Sequence, residues 1–326
     1  MIKRNLIKRL MAAGAIMAVT LSLTGCGIGG NSVKLGAAGV GGGYYAFSNA
    51  FAQIASSEDE DLDFEVKATA GSTANIRLLS DGYVDMAIAQ ADLVDAAYNG
   101  TGATDKKRYR GYSAVASLYT EACQIVVRSD SGIDSLDDLQ GKKISVGEEE
   151  SGTQRNAEQI LKMTGLVESL VDTVNLDYVD AANELKSGQI DAFFCTAGIQ
   201  TSVIEELSKE CDVKLIGIDD KCRDRLKSVY GFYTDYTIPA GTYEGQTQDV
   251  VTLGVRAVLL ARDDMDEKIV EELTGLLFEH AQDIQYSIAL TFQIDESEAV
   301  KNVTIPFHDG AKAYYQKKGI EIPAEQ

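Results

Sequence analysis

From residue 33 onward, short apolar runs alternate with segments of helical period, and glycine-containing turns stand between them. That alternation constrains the fold most, because a strand, a helix and a second parallel strand close as a βαβ unit with helices covering a sheet. The spacing predicts a strand over 33–38, a glycine turn and a helix over 45–56. A strand over 62–69 leads through Gly71-Ser72-Thr73 into a helix reaching Leu79, and 84–89 reads as strand again. Two long apolar strands, 124–128 and 252–261, enclose a further block of strand 143–147, helix 154–165, strand 173–178, helix 181–188 and strand 191–195. One lobe is therefore expected inside another, with 33–123 and 255–326 forming lobe 1 and 124–254 forming lobe 2. Helical segments at 266–286 and 309–319 are expected to pack back on lobe 1.

Ahead of this block, Lys3, Arg4, Lys8 and Arg9 precede an apolar run over 10–23, the charge-then-apolar order of a secretory signal. The run is shorter than the roughly 20 residues that span a bilayer as a helix. It ends in Leu23-Thr24-Gly25-Cys26, which resembles the lipobox of bacterial lipoproteins. Residues 1–25 are thus read as a signal peptide, Cys26 as the lipidation site and 26–32 as a flexible tether. Acyl chains on Cys26 would hold the chain at the outer face of a membrane, extracytoplasmic and lipid-anchored. An ordinary signal peptide with a cysteine near its cleavage site is the alternative.

The formal net charge is −20, and the basic leader makes the remainder more acidic still. Nucleic-acid binding is unlike such a surface, since phosphate contacts need a basic face. With 45% apolar residues and 3 prolines the chain is globular. Metal and cofactor sites are not expected, because no Cys-x-x-Cys occurs and the two histidines, His280 and His308, stand apart. Cys211 and Cys222 flank a strand at 213–218 that separates them too far for a disulfide. A bond between Cys123 and Cys195 is compatible with the sequence.

Three turns sit where a strand ends and a helix begins: Gly41-Gly42-Gly43-Tyr44-Tyr45, Gly71-Ser72-Thr73 and Glu150-Ser151-Gly152-Thr153. That edge of an open α/β sheet is where ligands bind, and each helix start offers free N–H groups to a carboxylate or phosphate. Simple N-capping by Ser72, Ser151 or Thr153 accounts for any one turn alone. Three on one edge favour a shared anion site. Gln90 and Asp92, Tyr119 and Glu121, and Cys195-Thr196-Ala197-Gly198 are placed to complete it. Tyr44, Tyr45 and Tyr119 would give apolar walls with a polar tip, and Asp92 or Glu121 could hold a ligand's ammonium group. Catalysis fits poorly: the glycine turn is not Gly-x-Gly-x-x-Gly, no nucleophile elbow or Walker lysine occurs, and the histidines are remote from the turns.

The order of these stretches resembles the TAXI family, the receptors of certain tripartite ATP-independent periplasmic (TRAP) transporters. It is carried by Gly42-Gly43-Tyr44-Tyr45, by Gly71-Ser72-Thr73-Ala74-Asn75-Ile76-Arg77-Leu78-Leu79 and by Asp85-Met86-Ala87-Ile88-Ala89-Gln90-Ala91-Asp92. Ser151-Gly152-Thr153, Gly188-Gln189-Ile190-Asp191-Ala192-Phe193-Phe194 with Ala197-Gly198, Thr237-Ile238-Pro239-Ala240-Gly241 and Pro306-Phe307-His308-Asp309-Gly310 follow in order. The resemblance implies a two-lobed periplasmic binding protein of type II with two crossing hinge strands. Such a receptor is monomeric, closes on a small organic acid such as glutamate or 2-oxoglutarate, and delivers it to a TRAP permease. Near the ligand it implies Gly43, Tyr44, Gly71, Ser72, Asn75, Gln90, Asp92, Tyr119, Ser151, Gly152, Thr153, Ala197 and Gly198. Glu149 and Glu150 depart from the small residues usual before the Ser-Gly-Thr turn and would weaken anion binding unless they point outward; Gln200 replaces a common proline. A lipid-tethered sensory or adhesive protein on the same fold, and an exported hydrolase, are the rival readings.

Overall fold

Val33 and Leu35 are buried while Lys34 between them is exposed, the period of a half-covered strand. The computed structural model describes residues 31–59, 62–102, 106–167, 169–288 and 294–323. Strand β1 (Asn31–Gly36) leads to α1 (Gly43–Glu58), β2 (Leu62–Lys67), α2 (Ser72–Ser80), β3 (Met86–Gln90) and α3 (Ala91–Asn99). Then come β4 (Tyr112–Arg128), β5 (Lys143–Ser145), α4 (Gly152–Thr164), β6 (Asp172–Val174), α5 (Tyr178–Ser187) and β7 (Ala192–Ala197). The chain continues through α6 (Ser202–Glu210), β8 (Val213–Ile216), α7 (Asp220–Val229), β9 (Thr234–Ile238) and β10 (Val250–Arg262). It closes with α8 (Glu267–Glu279), α9 (Ala281–Ser287) and α10 (Asp309–Lys318).

The strands run in the order β2-β1-β3-β10-β4-β7-β5-β6, with β8 on β4 and β9 on β10. Neighbours at either end are parallel, whereas β4 and β10 are antiparallel to each other and to what flanks them. Every residue of β3 is buried, as a strand covered on both faces requires. One apolar cluster draws on 33–119 and 257–315, while two smaller clusters draw on 123–255. The chain passes between these cores twice, along β4 and β10, where Ala122 pairs with Gly254 and Glu121 with Val255. A β-carbon on Gly254 would lie 2.5 Å from Thr120 Cγ2, so the two strands approach this closely only with glycine there.

Several expectations are adjusted. β1 begins at Asn31, paired with Leu62, so Asn31 and Ser32 belong to the sheet and not to a tether. The first crossing strand begins at Tyr112, which puts Tyr119 and Glu121 inside it. The 266–286 segment breaks at His280 into α8 and α9. Tyr178 starts α5 instead of ending a strand, because Asp177 accepts a hydrogen bond from the Asp180 N–H and caps the helix. Cys123, Cys195, Cys211 and Cys222 are all free thiols. The leader and Cys26 lie outside the described residues, among which no helix is long and apolar enough to cross a membrane.

Candidate functional site

The carboxyl ends of β1, β2 and β5 feed the N-termini of α1, α2 and α4 onto one small cavity. Of the expected residues it brings together Gly43, Tyr44, Gly71, Ser72, Gln90, Ser151, Gly152 and Thr153. Glu121, Glu148, Asp177, Tyr178 and Thr196 complete much of the wall. Its volume is about 40 Å³, room for roughly three water-sized groups, so an organic acid enters only as the walls part.

The three helix starts are not equivalent. α1 has no side-chain cap for its first N–H groups, and Gly43 and Tyr44 of its first turn line the cavity. On α4, Ser151 Oγ accepts from the Gln154 N–H at 2.9 Å, a standard cap that leaves Gly152 and Thr153 earlier in the turn. On α2, the Thr73 and Ala74 amides already donate to the Glu150 carbonyl at 3.1 and 3.2 Å. The Ser72 hydroxyl does not cap its own helix; it accepts from the Gln90 N–H at 3.1 Å. Thr153 Oγ1 pairs with the Tyr178 hydroxyl at 2.6 Å and accepts from the Thr196 N–H at 3.2 Å.

At the bottom lies Glu121, 2% exposed, with the Tyr44 hydroxyl donating to its Oε2 at 2.6 Å. Burial pushes its pKa up to about 8, against the pull of hydrogen bonds from Tyr44 and Gln90. Gln90 reaches across the cleft, donating to Asn156 Oδ1 at 3.0 Å, and Asn156 in turn donates to the Tyr233 hydroxyl at 2.8 Å. Gln90 Oε1 is buried and has no donor among the described residues. A β-carbon on Gly152 would stand 2.5 Å from Gln90 Cδ, which is why this helix start tolerates no side chain. Burial also raises the Glu148 pKa. Among the described residues, the lining holds three acids, Glu121, Glu148 and Asp177, and no lysine or arginine.

Other expected residues fall elsewhere. Asn75 is fully buried and spent on the scaffold: its amide donates to the carbonyls of Ala37 at 2.5 Å and Ile88 at 2.8 Å, and its Oδ1 accepts from Thr69. Tyr119 packs in the first core against Phe47. Ala197 is paired with Ala122 in the sheet, and the Gly198 carbonyl accepts the Thr201 hydroxyl. Asp92 sits in the first turn of α3 facing a different groove, beside Arg155, and burial lifts its pKa to about 6. Glu149 is exposed and Glu150 pairs with Arg77, so neither lines the cavity. Gln200 has a φ of 61°, which a proline ring cannot adopt. His308 caps α10 and His280 contacts Glu58 and Asp283, so neither histidine lines the cavity. The sequence reading missed Glu148, Asp177 and Tyr178; the Asp177 cap was the signal that another helix starts at this edge.

A family model described as NMT1-like matches residues 35–319. Among solved structures, the chain is similar to PhnD1 from Prochlorococcus marinus in complex with methylphosphonate (TM-score 0.56, 12% identity, 90% of this chain and 100% of that one). It is similar also to MatC from Rhodopseudomonas palustris with bound malate (TM-score 0.55, 14% identity, 79% and 87%). A protein from Bordetella bronchiseptica RB50 is similar over 90% of this chain and 83% of that one (TM-score 0.53, 18% identity). At such identities the likeness shows the fold, an α/β chain of the two-lobed solute-binding type.

Proposed function

This chain belongs to the NMT1-like family, and we propose that it is an extracytoplasmic solute receptor, not an enzyme, which closes on a small carboxylate and hands it to a membrane transporter. The observation that carries the reading is one cavity lined from both sides of the β4–β10 crossing, by the uncapped start of α1 and by Gly152 and Thr153 at the start of α4. Helix starts bind an anion through backbone N–H groups and the macrodipole, with no cationic side chain needed. Malate and methylphosphonate, the ligands of two proteins of similar fold, are small anions of the kind such a site accepts.

The remaining groups favour a ligand that also brings donors. Glu121 and Gln90 Oε1 are both buried acceptors, and a plain dicarboxylate would meet three acids with no positive partner. A glutamate-like amino acid suits this lining better than 2-oxoglutarate does, its ammonium group lying toward Glu121. The order of motifs supports a TAXI receptor, working as a monomer with a TRAP permease, with lobes at 33–123 plus 255–326 and 124–254, hinged where β4 and β10 cross. The Leu-Thr-Gly-Cys sequence supports an anchor on Cys26.

Thermal unfolding of the protein lacking residues 1–26 against glutamate, glutamine, 2-oxoglutarate and succinate tests the reading. At one hundred times its dissociation constant a ligand adds about 2.7 kcal/mol. Stabilisation by an amino acid above the dicarboxylates is expected. No shift with any of the four, or across a wider set of organic acids, would refute it.

A further inference from the structure

We propose that Glu150 is a latch that holds the two lobes together over the cavity before any ligand arrives. This goes beyond the receptor reading, since it concerns the empty protein. Glu150 occupies the turn between β5 and α4 with φ 64°, a left-handed conformation that a non-glycine residue keeps only where its surroundings fix it. Two kinds of contact fix it from across the cleft. Its carbonyl accepts the first amides of α2, Thr73 at 3.1 Å and Ala74 at 3.2 Å. Its carboxylate takes the Arg77 guanidinium in a fork, Nε at 3.2 Å and the second nitrogen at 2.6 Å. Behind it, the Glu150 N–H is held by Gln154 Oε1 at 3.0 Å, which ties the turn to α4.

The carbonyl therefore stands where an anion or water would otherwise satisfy the start of α2. The fork adds direction, because a planar guanidinium meets a carboxylate through two parallel bonds only in one orientation. Arg77 is absent from the cavity wall, so the latch acts on closure without touching the ligand. A contact present in the closed state and absent from the open one shifts the population toward closure. Since the bound state is also closed, the latch raises affinity, and since a closed cleft admits nothing, it slows capture.

Site-resolved amide exchange on the ligand-free protein lacking residues 1–26 tests this. Thr73 and Ala74 are expected to exchange slowly in the wild type. Glu150→Gln and Arg77→Gln should each speed both amides, by up to about fivefold for a partly exposed pair. The Leu273 amide, buried in α8, should stay unchanged and report that the fold is intact. Arg77→Glu alone should release the two amides, and adding Glu150→Arg should slow them again. Unprotected Thr73 and Ala74 in the empty wild type would overturn the proposal, as would single variants with wild-type rates or an equal acceleration at Leu273.

Discussion

Replacing Glu121 by Gln should make the stability of the empty protein nearly independent of pH in a range where the wild type weakens. Glu121 is 2% exposed, and its pKa rises from an ordinary 4.5 to about 8 because burial penalises the charged form. A rise from 4.5 to about 8 corresponds to roughly 5 kcal/mol. The folded pKa lies above the unfolded one, so this stability is complete below about 4.5 and is lost as the pH climbs through about 8. Roughly 5 kcal/mol is an upper bound, because the lobes can part and let water reach the carboxylate at lower cost than unfolding. Gln keeps an acceptor for the Tyr44 hydroxyl and carries no charge. Urea unfolding of ligand-free wild type and Glu121→Gln at pH 5, 7 and 9 measures the difference. The variant should match the wild type at pH 5 and exceed it by several kcal/mol or less at pH 9. A difference that does not grow with pH would refute a neutral, desolvated Glu121 in the ligand-free protein.

Gly152→Ala should lower stability by about 1–3 kcal/mol as its β-carbon displaces Gln90 from Asn156, read as a drop in the urea midpoint, and should weaken ligand binding because that contact spans the closed cleft. An unchanged midpoint would mean that Gln90 moves aside freely. Cys26→Ala should release the exported chain from the membrane into the soluble fraction; retention of that variant at the membrane would remove the lipid anchor.

Much of the fold was legible because local signals agreed with the global one. The alternation of apolar strands with amphipathic helices, the glycine turns and the two long apolar strands each encode an element through its immediate neighbours in sequence. Legibility failed where partners came from far along the chain. Asn75 follows the Gly-Ser-Thr turn like a ligand-binding residue, yet three backbone carbonyls and Thr69 consume its amide. Tyr119 and Glu121 are two residues apart in one strand; both are buried, but Tyr119 is enclosed by the first core while Glu121 borders the cavity. Asp177 and Tyr178 were read as strand because a short β6 left the helix start hidden in a polar stretch.

The sequence by itself determined the class of architecture and the three turns that end strands and begin helices, since these depend on periodicity and on residues adjacent in the chain. Only the tertiary structure decided what each turn does. Distances between residues far apart in sequence bring the start of α1 to the cavity, give two amides of α2 to Glu150, and bury the Glu121 carboxyl in the cavity wall. Desolvation and hydrogen-bond partnership are properties of a packed volume, and no window along the chain contains them.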